Sequence, residues 1–462
     1  MNLSAIQKMN GPATLDEYTT VPETEVLEAQ QPKAQPPSGV RPRRFLRRSG
    51  PEFYKPFHFI LLVYLFFYCS RIPEMIPAVH AGLLLQPLLI IGMFMTKSTK
   101  AIWKSDIGRT MCYFTGWIAV CVPFATWKGG AFDQFTLALQ ALGLIFFMTA
   151  FVRTLDDVYR VMYTIATAMA VVGILSLVIG GGREGSTRLG LGTGNDTLSD
   201  ANFLALFLIV GLPLILFSAS MKRGLGKIFY ILMLFPVLAG AARTGSRSGM
   251  LAFTAGSIFF LIFASAKQRI AIIGGGLIFV VAAALLLPSN ILNRFTTFLH
   301  ADSAASNEAA ESANTRKLLL SKSLELTLRH PVLGVGPGEF MEGEAKEAMA
   351  RGERGIWHYT HNSYTELSSE CGILGLVFYV VALWKCFYGL TWIRKRFPRF
   401  STRRAAMFIQ TTVLMSAIGA FFLSIAYGGI LYAIIGLSAC MQLAAKREYQ
   451  EMMAPAVEEA AA

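Results

Sequence analysis

The sequence has few charged residues and lacks the phosphate-binding motif of ATP-hydrolysing enzymes. Only 15% of its 462 residues are charged and 54% are hydrophobic, so a soluble domain of this composition would expose too much apolar surface. No GxxxxGKS or GxxxxGKT loop is present, and no cytoplasmic hydrophilic segment is long enough for a nucleotide-binding domain. The composition therefore indicates a membrane protein with many spans.

Cysteine is also scarce, and its spacing argues against disulfide frameworks and metal sites. The six cysteines lie in or beside apolar segments, with neither a CxxC pair nor zinc-ligand spacing: Cys69, Cys112, Cys121, Cys371, Cys386 and Cys440. We interpret them as buried packing residues. We expect neither a metal ion nor a cofactor.

The net charge of +13 comes from Lys and Arg residues that cluster at the ends of apolar segments. Such residues would face lipid headgroups, so membrane orientation explains them better than nucleic-acid binding does. Residues 1–56 are rich in Pro, Glu and Gln and end in an Arg-rich stretch, which predicts a disordered, basic cytoplasmic tail. Nothing in this tail resembles a cleavable signal peptide, so we expect the first span to act as an uncleaved anchor.

The apolar segments predict an all-α polytopic membrane protein with about twelve transmembrane helices. Most segments approach the roughly 20 residues that a helix needs to cross a bilayer. We expect spans 1–9 within 57–287, an outer loop at 288–370, spans 10–12 within 371–445, and a cytoplasmic tail at 446–462. The segments lie near residues 57–70, 77–95, 107–126, 131–151, 160–180, 200–219, 227–242, 248–266, 270–287, 371–393, 405–424 and 427–445.

The basic residues alternate between connections in the way that the positive-inside rule requires. With the N-terminus in the cytoplasm, the connection after each even-numbered span carries Lys or Arg, from Lys97 to Arg404. Both termini should then be cytoplasmic, and the long loop between spans 9 and 10 should lie outside. Arginines on the outer side are unusual under this rule and require an explanation; they are Arg71, Arg183, Arg188, Arg243 and Arg247.

The outer loop contains two local patterns. Residues 315–329 place apolar side chains at helical spacing opposite Lys and Arg, which predicts an amphipathic helix. This helix could lie on the membrane plane or pack on its own loop, and both alternatives stay open at this stage. The following HPVLGVGPGEF has glycines at 334, 336 and 338; without a strand-turn-helix context, a glycine turn is favoured over a phosphate cradle.

Four motifs give the chain a resemblance to the O-antigen ligase and Wzy polymerase family. They are TRLGLGTGNDTLSDANFLAL after span 5, RTGSRSGML between spans 7 and 8, LGVG in the long loop, and HNSYTELSSECGILGL at its end. The resemblance covers residues 183 to 375. One departure is Ala201, where the family often has proline before the asparagine.

The resemblance implies a metal-independent glycosyltransferase of the bacterial inner membrane with a periplasmic site. Such enzymes transfer a glycan from undecaprenyl pyrophosphate to an acceptor hydroxyl of lipid A core or another glycan. Arg188 and Arg247 match the positions expected to bind the pyrophosphate, because guanidinium groups offer fixed paired donors to phosphate. His361 matches the expected general base, and a base acting in one displacement would invert the anomeric centre.

Five further residues are candidates for supporting roles, and Glu366 is considered beside one of them. Asn202 matches the family's asparagine, and for Arg243 an interfacial or supporting position is favoured over direct contact with the substrate. Asn362 fits a helix cap, and Tyr364 fits the structure of the helix entrance. Glu366 and Glu370 share a helix face, and Glu370 is the one at the family's position. They could orient an Arg or His or pair within the loop.

Two other functions remain as alternatives to a ligase. A Wzy-type polymerase would use the same donor and residues with a growing glycan as acceptor. A transporter would also have about twelve helices, but it should carry ionisable residues near the middle of its spans. The predicted spans have almost none there, which favours the enzyme.

Overall fold

A computed structural model describes residues 52–76, 81–181, 188–192, 197–266, 268–270, 273–277 and 304–461. This part of the chain is helical, and its β-structure is limited to one bridge between Gly181 and Gly190. The helices are α1 (Lys55–Ser70), α2 (Ile72–Met75), α3 (Ala81–Met95), α4 (Asp106–Cys121), α5 (Lys128–Phe151), α6 (Leu155–Val178), α7 (Ala201–Met221), α8 (Gly224–Arg243), α9 (Arg247–Phe263), α10 (Ala304–Arg329), α11 (Phe340–Ala350), α12 (Ser363–Glu370), α13 (Gly372–Arg396), α14 (Phe400–Gly419) and α15 (Ile430–Ala461).

Among the described residues, six helices are long and apolar enough to cross a membrane, which fits an all-α membrane protein. They are α5, α6, α7, α8, α13 and residues Ile430–Met453 of α15. Three shorter apolar helices, α1, α9 and Gly82–Met95 of α3, coincide with other predicted spans. The predicted ninth span, 270–287, lies largely outside the described residues, so the count of twelve and the loop topology stay predictions.

Helix α7 is the centre of the bundle. It begins where Asp200 Oδ1 accepts hydrogen bonds from the backbone N–H groups of Asn202 and Phe203, at 2.8 and 3.2 Å, and so caps two of the free donors of the first turn. The most hydrophobic 18-residue stretch of α7 is 83% buried. The helices α6, α8, α9 and α14 surround it.

Close helix packing depends on small residues, because lipid chains give apolar helices little reason to associate. A Cβ atom on Gly211 of α7 would lie 2.5 Å from the sulfur of Met169 of α6. A Cβ atom on Gly256 of α9 would lie 2.2 Å from Met415 of α14. These glycines allow the backbones to approach, and the resulting van der Waals contacts hold α7 against α6 and α9 against α14.

The last helix continues past residue 445, the predicted end of the last span. Helix α15 continues to Ala461, through the segment expected to be a tail. The extension packs because the ring of Tyr449 contacts that of Trp392 at 5.7 Å, and Glu448 forms an ion pair with Arg399 at 3.0 Å. Residues 1–51 of the predicted N-terminal tail lie outside the described residues.

The long loop contains the predicted amphipathic helix as part of α10. Its Leu319 and Leu326 are buried against Val335 and Phe340, so α10 packs on its own loop. Thr327 Oγ1 and Ser368 Oγ, 2.8 Å apart, join α10 to α12. A second stripe of α10 is exposed, namely Leu320, Leu324 and Leu328. Packing on the loop therefore occupies one side of the helix and leaves the other free for a membrane surface.

Candidate functional site

The first part of the site forms where the start of α7 meets the turn between α8 and α9. Asn202 Oδ1 accepts a hydrogen bond from Arg188 Nη2 at 2.8 Å and another from Ser246 Oγ at 2.9 Å. Arg188 also donates through Nε to the carbonyl of Thr244 at 3.0 Å. Ser246 in turn caps α9 by accepting from the N–H of Gly249 at 3.2 Å. One amide oxygen therefore fixes both an arginine and the first turn of a second helix.

Two arginines come together beside this turn. Arg247 is the first residue of α9, and Arg316 projects from α10 in the long loop. Burial lowers the pKa of Arg316, the positive charge of Arg247 lowers it further, and the carboxylate of Asp200 opposes both effects. Bringing two guanidinium groups together is unfavourable without an anion, and the N-termini of α7 and α9 add positive potential at the same place. These charges make the place a candidate anion-binding site.

His361 joins the same cluster from the other side. Burial lowers the pKa of His361, and Arg316 and His358 lower it further, whereas Asp200 raises it. The imidazole is therefore neutral near pH 7 and able to accept a proton. Its backbone is in the left-handed region, with φ of 51°, which a histidine adopts only when its surroundings enforce it.

The residues after His361 enforce that backbone. Asn362 caps α12, its Oδ1 accepting from the N–H groups of Tyr364 and Thr365 at 3.0 and 3.3 Å. Ser363 Oγ donates to the carbonyl of Leu423 at 2.6 Å, and the Tyr364 hydroxyl donates to that of Ala417 at 2.8 Å. Asn362 thus caps its own helix, and Tyr364 attaches that helix to α14.

Glu370 lies at the opposite end of α12 and organises the glycine turn. Its carboxylate accepts hydrogen bonds from the N–H groups of Gly338 and Phe340 at 2.8 and 3.2 Å and from the Tyr427 hydroxyl at 2.6 Å. The turn lies so close to α12 that a Cβ atom on Gly334, at φ of 67°, would be 2.2 Å from the carbonyl carbon of Glu370. The glycine turn therefore holds a carboxylate of the protein and not a substrate phosphate.

Buried carboxylates accumulate around this turn. Burial raises the pKa of Glu366 and that of Glu370, and the two groups repel each other when both are ionised. Burial also raises the pKa of Glu339 to about 7. In the part of the chain that the structure describes, no group of three His, Cys, Asp or Glu side chains has the arrangement of a metal site.

The structure thus brings together Arg188, Asn202, Arg247 and His361 and adds Arg316. The side chain of Arg243 is exposed at the end of α8, where its carbonyl accepts from the N–H of Leu189 at 3.3 Å. Arg183 lies outside the described residues. Sequence reasoning missed Arg316 because, among the Lys and Arg residues of an amphipathic helix, it resembles a solvated side chain. Its position on the outer side was the available signal.

Two different family models match two parts of the chain. Residues 229–380 match the family model for O-antigen ligase, and residues 54–223 match a family of unknown function. No curated protein matches the sequence. One solved structure, titled "Structural coordination of polymerization and crosslinking by a peptidoglycan synthase complex", is 15% identical with a TM-score of 0.40, over 75% of this chain and 99% of that one.

Proposed function

We propose that this protein is a lipid-linked glycan ligase, because residues 229–380 match the family model for O-antigen ligase. It takes a glycan from undecaprenyl pyrophosphate and joins it to a hydroxyl of lipid A core or a similar acceptor. The reaction takes place on the periplasmic face of the inner membrane. The observation that carries the proposal is that Asn202 Oδ1 accepts from Arg188 at 2.8 Å and from Ser246 at 2.9 Å, and so joins Arg188 to the start of α9, where Arg247 lies.

The proposed reaction is a single displacement. The acceptor oxygen forms a bond to the anomeric carbon, and the bond from that carbon to the pyrophosphate oxygen breaks with its electron pair going to the pyrophosphate. The proton of the acceptor hydroxyl goes to His361, which later releases it to water. General-base assistance of this kind contributes about 10²–10⁴-fold. The anomeric centre is inverted.

The arginines stabilise the charge that develops on the leaving group. Arg247 and Arg316 remain protonated at any biological pH and present paired donors to the phosphate oxygens. Arg188 contributes from the second side, in an orientation set by Asn202 and the Thr244 carbonyl. Loss of one such positioned donor costs about 2.7–4 kcal/mol in comparable oxyanion sites, equivalent to about 10²–10³ in kcat.

The test uses purified full-length protein, a defined undecaprenyl-pyrophosphate glycan and an acceptor lipid. We expect an inverted linkage, and we expect His361→Ala and His361→Asn to abolish transfer while the protein still binds the donor lipid. Asparagine tolerates the left-handed backbone of position 361 and therefore keeps the fold. The control is His330→Gln, because His330 lies in the same loop and pairs with Glu347 at 2.8 Å. A retained linkage, or transfer by the His361 variants, would refute the assignment.

A further inference from the structure

We propose that Trp357 and Tyr359 form an acceptor-sugar platform on which the acceptor glycan rests while His361 removes its proton. This inference rests on the proposed function and extends it to the second substrate. It concerns the short extended segment between α11 and α12, which carries these two aromatic side chains just before the general base.

Both aromatic side chains are held out into solvent. Trp357 and Tyr359 are each 59% exposed, which leaves two large apolar surfaces unburied in a single segment. Only His358 separates the two residues, so their Cα atoms lie within about 7 Å of each other and one sugar can contact both rings. Large exposed aromatic surfaces of this kind mark binding sites more often than they mark idle surface.

The segment that carries the rings is fixed at both ends. At its start, a Cβ atom on Gly355 would lie 2.6 Å from Ala345, so the chain is pressed against α11. The next residue, Ile356, donates its N–H to Glu344 Oε2 at 2.6 Å and packs beside Phe340. At its end, Thr360 Oγ1 lies 3.1 Å from Ser424 Oγ. Fixed ends present the rings in one position and reduce the entropy that binding would cost.

The chemistry of the exposed surface favours a sugar over a lipid chain. The C–H groups on one face of a pyranose carry partial positive charge and pack against the negative face of an aromatic ring. The neighbouring residues His358 and Arg354 are also exposed and polar, as expected of a face in contact with water. The exposed stripe of α10 is by contrast aliphatic, which is the composition suited to acyl chains.

The platform is near enough to the base to position a reacting hydroxyl. Tyr359 precedes His361 by two residues and Trp357 by four, so their Cα atoms lie within about 7 Å and about 14 Å of that of His361. A sugar stacked on these rings can therefore place a hydroxyl next to the imidazole. A binding interaction that is equally strong in the ground state and in the transition state lowers KM without raising kcat. Loss of the platform should therefore raise the acceptor KM and leave kcat unchanged.

The experiment compares Trp357→Ala and Tyr359→Ala in full-length protein in proteoliposomes. Two acceptor probes are used, rough lipopolysaccharide that ends in core sugars and a second lipid-linked glycan, and the acceptor that the wild type uses is titrated. We expect KM for the acceptor to rise about tenfold or more, with kcat and the donor KM unchanged. Trp357→Phe and Tyr359→Phe should restore the wild-type KM. Trp127→Ala is the matched control, because Trp127 is 58% exposed in the loop before α5 and plays no part in the site.

A second measurement places the rings without turnover. Soluble core oligosaccharide should change the tryptophan fluorescence of the wild type saturably and leave that of Trp357→Phe unchanged. Quenching of Trp357 by brominated acyl chains, in vesicles of phosphatidylethanolamine and phosphatidylglycerol, would place it in the bilayer and overturn the inference. An unchanged acceptor KM in both alanine variants, or a fall in kcat alone, would also overturn it. Transfer by the wild type to neither acceptor would instead refute the proposed function itself.

Discussion

Arg188 donates a hydrogen bond from Nη2 to Oδ1 of Asn202 at 2.8 Å, and this contact links the loop before α7 to the first turn of that helix. The same oxygen accepts from Ser246 at 2.9 Å. The amide side chain therefore acts as the common acceptor for two donors on separate elements. Its loss should disturb the donor site without touching the reacting atoms.

Asn202→Ala should weaken use of the lipid-linked donor. Removing the shared acceptor takes one hydrogen bond from Arg188 and one from Ser246, at a cost of about 1–3 kcal/mol. We expect KM for the donor to rise about tenfold, with a smaller change in acceptor KM. Initial-rate kinetics with each substrate varied separately will measure this. Unchanged donor kinetics would show that Arg188 is held adequately by the Thr244 carbonyl alone.

Arg316→Gln should make the free protein more stable and the enzyme slower. The substitution removes the repulsion between Arg316 and Arg247, so the thermal midpoint in detergent should rise, while kcat/KM should fall by about 10²-fold or more. Arg316→Lys and Arg247→Lys keep the charge and lose the planar donor pair, so both should remain impaired. Arg329→Gln on the same helix is the control for charge alone, because Arg329 pairs with Glu325 at 2.7 Å.

The acid limb of the pH profile should lie below the ordinary imidazole pKa of about 6.5. Kcat/KM reports the free enzyme, in which burial and Arg316 lower the pKa of His361. Activity should therefore rise with pH through this lowered value and stay high at pH 7. In Arg316→Gln the limb should move to higher pH, because one of the groups that lower the pKa is gone. A limb that does not respond to this variant would point to another titrating group.

Stability should fall as the pH rises through the neutral range. The folded-state pKa values of Glu366, Glu370 and Glu339 are raised, the last to about 7, so their contribution is fully present below about pH 4.5 and lost as the carboxylates ionise. Thermal unfolding in detergent should therefore show a higher midpoint temperature at about pH 5.5 than at about pH 8. Glu366→Gln should flatten this dependence, since a neutral amide cannot ionise. A midpoint that rises with pH in the wild type would contradict the prediction.

Cysteine labelling can test the predicted topology. Ala350 is exposed at the end of α11 and Arg223 is exposed between α7 and α8, on the sides predicted to be periplasmic and cytoplasmic. A membrane-impermeant maleimide should label Ala350→Cys in intact spheroplasts, and Arg223→Cys only after the membrane is opened. Five of the six native cysteines are buried, which keeps background labelling low. The reverse pattern would place the site on the wrong side for a lipid-linked donor.

The spans could be predicted because their signal is local. Outside residues 270–287, which lie largely beyond the described residues, a helix meets every predicted apolar segment, because some 20 apolar residues are recognisable without reference to the rest of the chain. Their ends were less certain, as α15 shows: its polar extension is helical because Tyr449 and Glu448 find partners on α13 and in the loop that follows it.

From the sequence, only those residues of the candidate site that lie in a recognisable motif could be predicted. His361 and Arg247 stand in short recognisable sequences, whereas Arg316 is defined by neighbours more than 40 positions away in the chain. Glu370 illustrates the same limit of prediction from sequence. Its place on one face with Glu366 follows from a spacing of four, but the N–H groups that its carboxylate accepts belong to residues 338 and 340. Such long-range contacts leave no periodic trace in a sequence.

Asn202 Oδ1 also links two stretches of the chain that match different family models. Arg188 and Asn202 lie within residues 54–223, whereas Ser246, Arg247, Arg316 and His361 lie within residues 229–380. Neither stretch holds a complete donor site. We therefore expect a hybrid that exchanges one stretch for that of another protein to work only if the incoming stretch brings an equivalent arginine and amide.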